Sequence, residues 1–160
     1  HATAEKQGKL KPDHAGLAAG VMCQANSVGP LLAEIDGVNA LTDVTGFGLA
    51  GHLLEMCDGA QLDATIDTAF IPELPDLDHY IGAGCVPGGT TRNLSASGDR
   101  LPQLSPREQS VLCDPQTSGG LLIACQPDAE KKVLEILQQA GFGEARPIGH
   151  FTKGQGLTIA

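Results

Sequence analysis

The chain has no tryptophan, one tyrosine and four phenylalanines among 160 residues, so aromatic side chains make up only 3% of it. A core must therefore be built from Leu, Ile, Val and Ala, which suits closely packed helix and sheet layers. Basic residues are also scarce: 10 Lys and Arg against 19 Asp and Glu leave a net charge of −9. An acidic field of that size argues against nucleic acid or an anionic membrane surface as the main partner, and any anionic ligand would need local cations or a metal ion. No apolar run is long enough to span a bilayer, and residues 1–10 contain no apolar segment of the signal-peptide kind. There is no Cys-x-x-Cys; the five cysteines at 23, 57, 85, 113 and 125 are expected to be reduced thiols of a cytoplasmic protein, mostly buried.

What is present is an alternation of helix and strand signals. Val38 to Thr42 reads as a strand and Gly48 to Cys57 as a helix with two apolar rows, Leu49, Leu53, Met56 and Ala50, Leu54, Cys57. Gln61 to Ile66 reads as a half-exposed strand and Pro75 to Ile81 as a short helix. Ser105-Pro106-Arg107-Glu108 is a capping box opening another helix. Leu121 to Cys125 reads as a buried strand, and Asp128 to Ala140 as an amphipathic helix stopped by Gly141. A hairpin is expected from Ala145–Phe151 and Gly156–Ala160 around Lys153-Gly154-Gln155. Residues 82–104 lose all periodicity and are expected to form a long glycine-rich loop, mobile from Gly84 to Asn93 and able to close as a lid.

The most informative stretch is Leu41 to His52. It sets Asp43 at a strand end, immediately ahead of a Thr45-Gly46-Phe47-Gly48 turn into a helix. Glycines admit an anion to the backbone and the first helical N–H groups favour negative charge, while a carboxylate at the same mouth asks for a divalent cation that bridges it to phosphate oxygens. Thr45, Gly46 and Gly48 either contact phosphate or serve only as the helix entry. Gly46 to Gly51 also satisfies G-x-G-x-x-G, with Asp67 at the end of the following strand. That is the dinucleotide fingerprint of a nicotinamide-dependent oxidoreductase. Asp43 beside the pyrophosphate and the lack of a second βαβ unit count against it. In Pro87-Gly88-Gly89-Thr90-Thr91-Arg92-Asn93, hydroxyls, a guanidinium and an amide can wrap an oxyanion, which makes Thr90, Arg92 and Asn93 candidate phosphate or substrate contacts. Cys113 to Gly120 alone reads as a turn. His52 is expected to be a helix residue with a local hydrogen bond, and His14, His79 and His150 to face solvent.

Together, Leu41–Leu49, Val86–Leu94 and Leu112–Leu122 resemble the C-terminal half of selenophosphate synthetase (selenide, water dikinase), with Met22-Cys23 and Ile71-Pro72 also fitting. The wider superfamily includes aminoimidazole ribonucleotide synthetase. The resemblance implies an α/β (α+β) layered sandwich of a mixed sheet with helices, of partial ferredoxin-like topology. Residues 1–160 would be one C-terminal domain, with 1–11 an interdomain linker or helix. It implies an enzyme that makes selenophosphate, AMP and phosphate from ATP, selenide and water. The ATP-binding N-terminal domain, absent here, would supply the nucleophilic Cys or selenocysteine, a Lys and the homodimer contact. No residue of this chain would then be catalytic. Asp43 would join N-terminal aspartates around Mg²⁺ on the phosphates of ATP, and the chain alone would be inactive. Asp114, Thr117 and Ser118 match the family pattern without an assigned role. The competing expectations are the oxidoreductase domain above and a non-catalytic, partner-binding module of the same fold.

Overall fold

A computed structural model describes residues 1–154 and 156–160. The chain runs through α1 (Ala2–Lys6), a 3-10 turn at Pro12–His14, α2 (Leu17–Met22), α3 (Gly29–Ala33), β1 (Val38–Asp43), α4 (Gly48–Ala60) and β2 (Leu62–Ile66). It continues through a 3-10 turn at Thr68–Phe70, α5 (Leu77–Gly82), α6 (Gly88–Ser97), α7 (Pro106–Leu112), β3 (Leu121–Cys125), α8 (Glu130–Gln139), β4 (Gly149–Lys153) and β5 (Gly156–Ile159). This is a mixed α+β fold with its strands in two small sheets. One is the antiparallel pair β1 and β3; the other has the order β4-β2-β5, with β4 antiparallel and β5 parallel to β2.

The apolar run Leu121-Leu122-Ile123-Ala124-Cys125 makes sense because β3 is covered on both faces. Leu121, Ile123 and Cys125 face a layer built by Leu32 and Ile35 at α3 and by Val133 and Leu137 of α8. Leu122 faces the other way, into the main core. That core is dominated by α4, whose Leu49, Ala50, Leu53, Leu54 and Cys57 are buried against Ala64, Ile66 and Leu157 of the second sheet and Leu112 of α7. The two apolar rows of α4 are thus used on two sides.

Four expectations are corrected. The segment 82–104 is not a structureless loop or an open lid, because Gly88–Ser97 forms a ten-residue helix. Its propensity is poor, with two Gly and two Thr at the start. Burial of Gly89 and Thr90, packing of Leu94 against the main core and two hydrogen bonds from Asn93 override that preference. The C-terminal hairpin is not formed either: β4 and β5 lie on opposite edges of β2, and Gln155 of the expected turn lies outside the described residues. The dinucleotide fingerprint fails on topology. Its strand β1 and the next strand β2 belong to different sheets, whereas the fingerprint needs a parallel βαβ unit, and Asp67 caps the Thr68–Phe70 turn by accepting from Ala69 N.

His14, finally, is buried and not solvent-facing. Its Nδ1 lies 2.7 Å from the hydroxyl of the buried Tyr80, which also accepts from Lys11 N at 3.2 Å. This pair pins the segment after α1 onto α5, beside the small cluster of Ala4, Tyr80 and Cys85.

Candidate functional site

The two outer motif segments meet through backbone pairing that continues beyond the β1–β3 ladder. Val44 N donates to Gly120 O at 2.9 Å, Gly119 N to Val44 O at 3.0 Å, and Gln116 N to Thr45 O at 3.1 Å. The loop 113–120, which alone reads as an ordinary turn, is therefore the partner that holds the turn after Asp43. Asn26 adds a bond from its Nδ2 to Gly119 O at 2.9 Å. The middle segment joins through a single side chain. Asn93 Nδ2 donates to Gly46 O at 2.8 Å and to Cys113 O at 3.0 Å, so both hydrogens of one amide tie α6 to the other two segments.

Glycines make this convergence close enough. Gly48 has φ of +74° and lies with Leu112 O, Cys113 C and Asp114 O each 2.9 Å from where a Cβ would stand. Gly89 packs on Pro115, whose Cγ would be 2.7 Å from a Cβ there. Gly46 needs neither, since its φ is ordinary and a Cβ would meet nothing within 4 Å. The segments 41–49, 86–94 and 112–122 therefore fold into one cluster.

At its mouth Asp43 is exposed, and its carboxylate makes no hydrogen bond or ion pair among the described residues. The amide nitrogens of Gly46 and Phe47 likewise have no acceptor among the described residues. Free N–H groups ahead of the thirteen-residue helix α4 offer an anion both hydrogen bonds and the positive end of its dipole. Arg92 is exposed and, among the described residues, forms no ion pair, whereas Arg100, Arg107 and Arg146 are each paired with carboxylates. Thr90 is only 5% exposed and its Oγ1 has no partner among the described residues. A ligand could reach it only if the first turn of α6 opened. Asn93, read from sequence as a ligand contact, spends its amide on holding the cluster together.

The donor set suits a shared cation site. No group of three or more His, Cys, Asp or Glu able to hold a metal occurs among the described residues, so Asp43 offers one carboxylate to a cation whose remaining ligands would come from elsewhere. Burial pushes the thiols of Cys57, Cys113 and Cys125 up, which disfavours the thiolate at these three positions. His52 makes the local hydrogen bonds expected of it, with Thr45 and Glu55.

Sequence reasoning assigned no role to Asp114, which the fold places against Gly48. Burial raises its carboxyl from 3.8 to about 6. A carboxyl raised in the folded state keeps a proton that the unfolded chain has released, so stability falls as pH rises from 3.8 to about 6 and is level above. Asp114→Asn removes that penalty. Discounted for its partial exposure, the gain at pH 7.5 is expected to be about 1–2 kcal/mol, checked by urea unfolding of both proteins at pH 4 and 7.5. A gain equal at both pH values would show that ionisation is not the cause.

Residues 22–160 match the family model of the AIR synthase related protein, C-terminal domain. Among curated proteins the chain is 52% identical over 147 residues to a selenide, water dikinase of Aeromonas hydrophila, covering 92% of this chain and 42% of that protein. It is 50% identical to a selenide, water dikinase of Haemophilus influenzae, covering 87% and 40%. The chain thus spans less than half the length of these relatives. Among solved structures, HypE of E. coli is similar with a TM-score of 0.58 at 21% identity, over 83% of this chain and 35% of that one. Thiamine-monophosphate kinase of Stenotrophomonas maltophilia is similar with a TM-score of 0.59 at 17% identity, over 98% and 44%. Identities that low speak for the fold alone, but the family match spans nearly the whole chain: the protein belongs to the family of AIR synthase related protein C-terminal domains.

Proposed function

We propose that this chain is the C-terminal domain of a selenide, water dikinase, a cytoplasmic enzyme converting ATP, selenide and water to selenophosphate, AMP and orthophosphate. The observation that carries the proposal is the gathering of segments 41–49, 86–94 and 112–122 around an exposed, unpaired carboxylate beside free backbone donors. Relatives of that name at 50–53% identity support the choice of reaction.

In this reading Asp43 is one ligand of a Mg²⁺ site completed by carboxylates of an N-terminal domain. The metal, when bound, neutralises charge on the phosphate oxygens. The chain's own part is to bind and orient: Gly46 and Phe47 amides donate to a phosphate, the Thr45 hydroxyl adds a third donor, and the unpaired Arg92 guanidinium faces the polyphosphate. Thr90 and Asn93 act from behind this contact surface, through packing and through the amide clamp. Gly48 makes the close approach. Selenide attack and dimer formation belong to the N-terminal domain, so the 160 residues alone are expected to release no AMP. Phosphorus NMR of the complete protein with Mg²⁺, ATP and selenide tests the assignment. Selenide-dependent AMP and selenophosphate are expected; ADP as the terminal nucleotide, or no phosphorus product, would overturn it.

A further inference from the structure

The turn after Asp43 is braced from within by a buried imidazole. His52, in the second turn of α4, is 7% exposed, and its Nε2 lies 3.0 Å from the Thr45 amide nitrogen and 3.1 Å from Thr45 Oγ1. A backbone amide can only donate, so Nε2 presents its lone pair and the neutral ring carries its proton on Nδ1. That nitrogen lies 3.2 Å from Glu55 Oε2, an acceptor where the tautomer needs one. The Phe47 ring, its centroid 5.7 Å from that of the imidazole, packs beside it.

Hydroxyl, imidazole and carboxylate in this order resemble a proton-abstraction triad. The resemblance is only geometric. An imidazole nitrogen has one lone pair in the ring plane, and here the Thr45 amide occupies it, which leaves no free base for the hydroxyl proton. The two Thr45 donors differ in freedom, because the amide is fixed by the turn whereas the hydroxyl rotates about its C–O bond. An arriving anion can therefore draw the hydroxyl hydrogen outward while the amide stays on the ring.

We propose that His52 is a positioning residue for the phosphate-binding turn, its tautomer fixed by Glu55, and that the pair frees the Thr45 hydroxyl to donate to a phosphate oxygen of a metal-bound nucleotide. The inference rests on the functional reading above. It adds to the chain's contacts a brace that touches no ligand. Asn93 holds the same turn at Gly46 O, so the peptide units on either side of the Thr45–Gly46 peptide are each held, one by His52 and the other by Asn93.

Two substitutions separate this role from packing. In His52→Gln the longer side chain carries a carbonyl oxygen to where Nε2 stands and can still accept from Thr45 N. In His52→Asn the amide stops near the Nδ1 level, facing Glu55 and short of Thr45. In the complete protein, His52→Asn is expected to lower kcat/KM for ATP by about tenfold or more and His52→Gln to stay within about threefold, at similar melting temperatures. Faster hydrogen exchange of the Thr45 amide in His52→Asn, but not in His52→Gln, is the readout that does not depend on turnover. Nitrogen NMR of the histidine-labelled wild-type protein should show His52 protonated on Nδ1. A ring protonated on Nε2, or two variants alike in both exchange and kcat/KM, would overturn the proposal. Absence of any ATP turnover in the wild type would instead overturn the dikinase reading, while exchange and the ring spectrum still decide the role of His52.

Discussion

Gly48→Ala is expected to lower the stability of the chain by about 2–5 kcal/mol, a large share of the roughly 5–15 kcal/mol a domain usually has. Two causes add. Gly48 sits at φ of +74°, where a side chain costs about 1–2 kcal/mol. Its Cβ would also stand 2.9 Å from three backbone atoms of residues 112–114. Backbone cannot rotate away as a side chain can, and overpacking of this kind costs about 1–3 kcal/mol more. Thermal unfolding should show a fall of roughly 5–15 °C for a chain of this size. Gly46→Ala is the control, because its φ is ordinary and a Cβ there meets nothing within 4 Å. Equal effects from the two substitutions would mean that neither the positive φ nor the close approach at Gly48 is costly, and that α4 and the loop 113–120 are not in close contact.

Asp43→Asn reads out the other way, in activity without stability. The carboxylate is exposed and makes no bond among the described residues, so its removal leaves the folded chain with nothing unpaired. On the proposed reading the substitution takes one negative charge from a metal and phosphate cluster in the complete enzyme, and turnover is expected to fall about 10²-fold or more, as when other preorganised electrostatic contacts are lost. The melting temperature should move by no more than about 2 °C. Steady-state AMP release at saturating Mg²⁺, beside calorimetry of the same two proteins, checks both halves. Wild-type turnover with Asn at this position would reduce Asp43 to a residue of the turn.

Local signals were legible where the partner lay within a few residues. The Ser105 to Glu108 capping box forms with both of its hydrogen bonds, and Val133 and Leu137 lie on the buried stripe of α8 as their spacing indicates. The strand, carboxylate and glycine order at Val38 to Gly48 likewise appears as β1, Asp43 and the entry to α4. What failed depended on distant partners. The segment from Gly88 to Ser97 looks like loop because its helix is held by contacts with Gly46 and Cys113, neither of which is nearby in sequence. His14 looks solvent-facing because Tyr80, which buries it, is 66 residues away. The terminal strands look like a hairpin because nothing in their sequence says that β2 lies between them. Glycine spacing at Gly46 to Gly51 copied a dinucleotide fingerprint without the sheet that gives it meaning. Of the candidate site, Asp43 and the turn were readable from residue order, whereas the clamp by Asn93 and the brace by His52 and Glu55 required coordinates.

On the proposed reading, three separated segments form one phosphate-binding mouth in the complete enzyme. Hydrogen exchange of that protein with and without Mg-ATP tests it most directly. Slowed exchange should appear together at residues 43–48, at the first turn of α6 and at residues 113–120, because ordering any one of them orders the others through Asn93 and the Val44 and Thr45 backbone bonds. Unchanged exchange at all three, under conditions where Mg-ATP protects other parts of the protein, would contradict it.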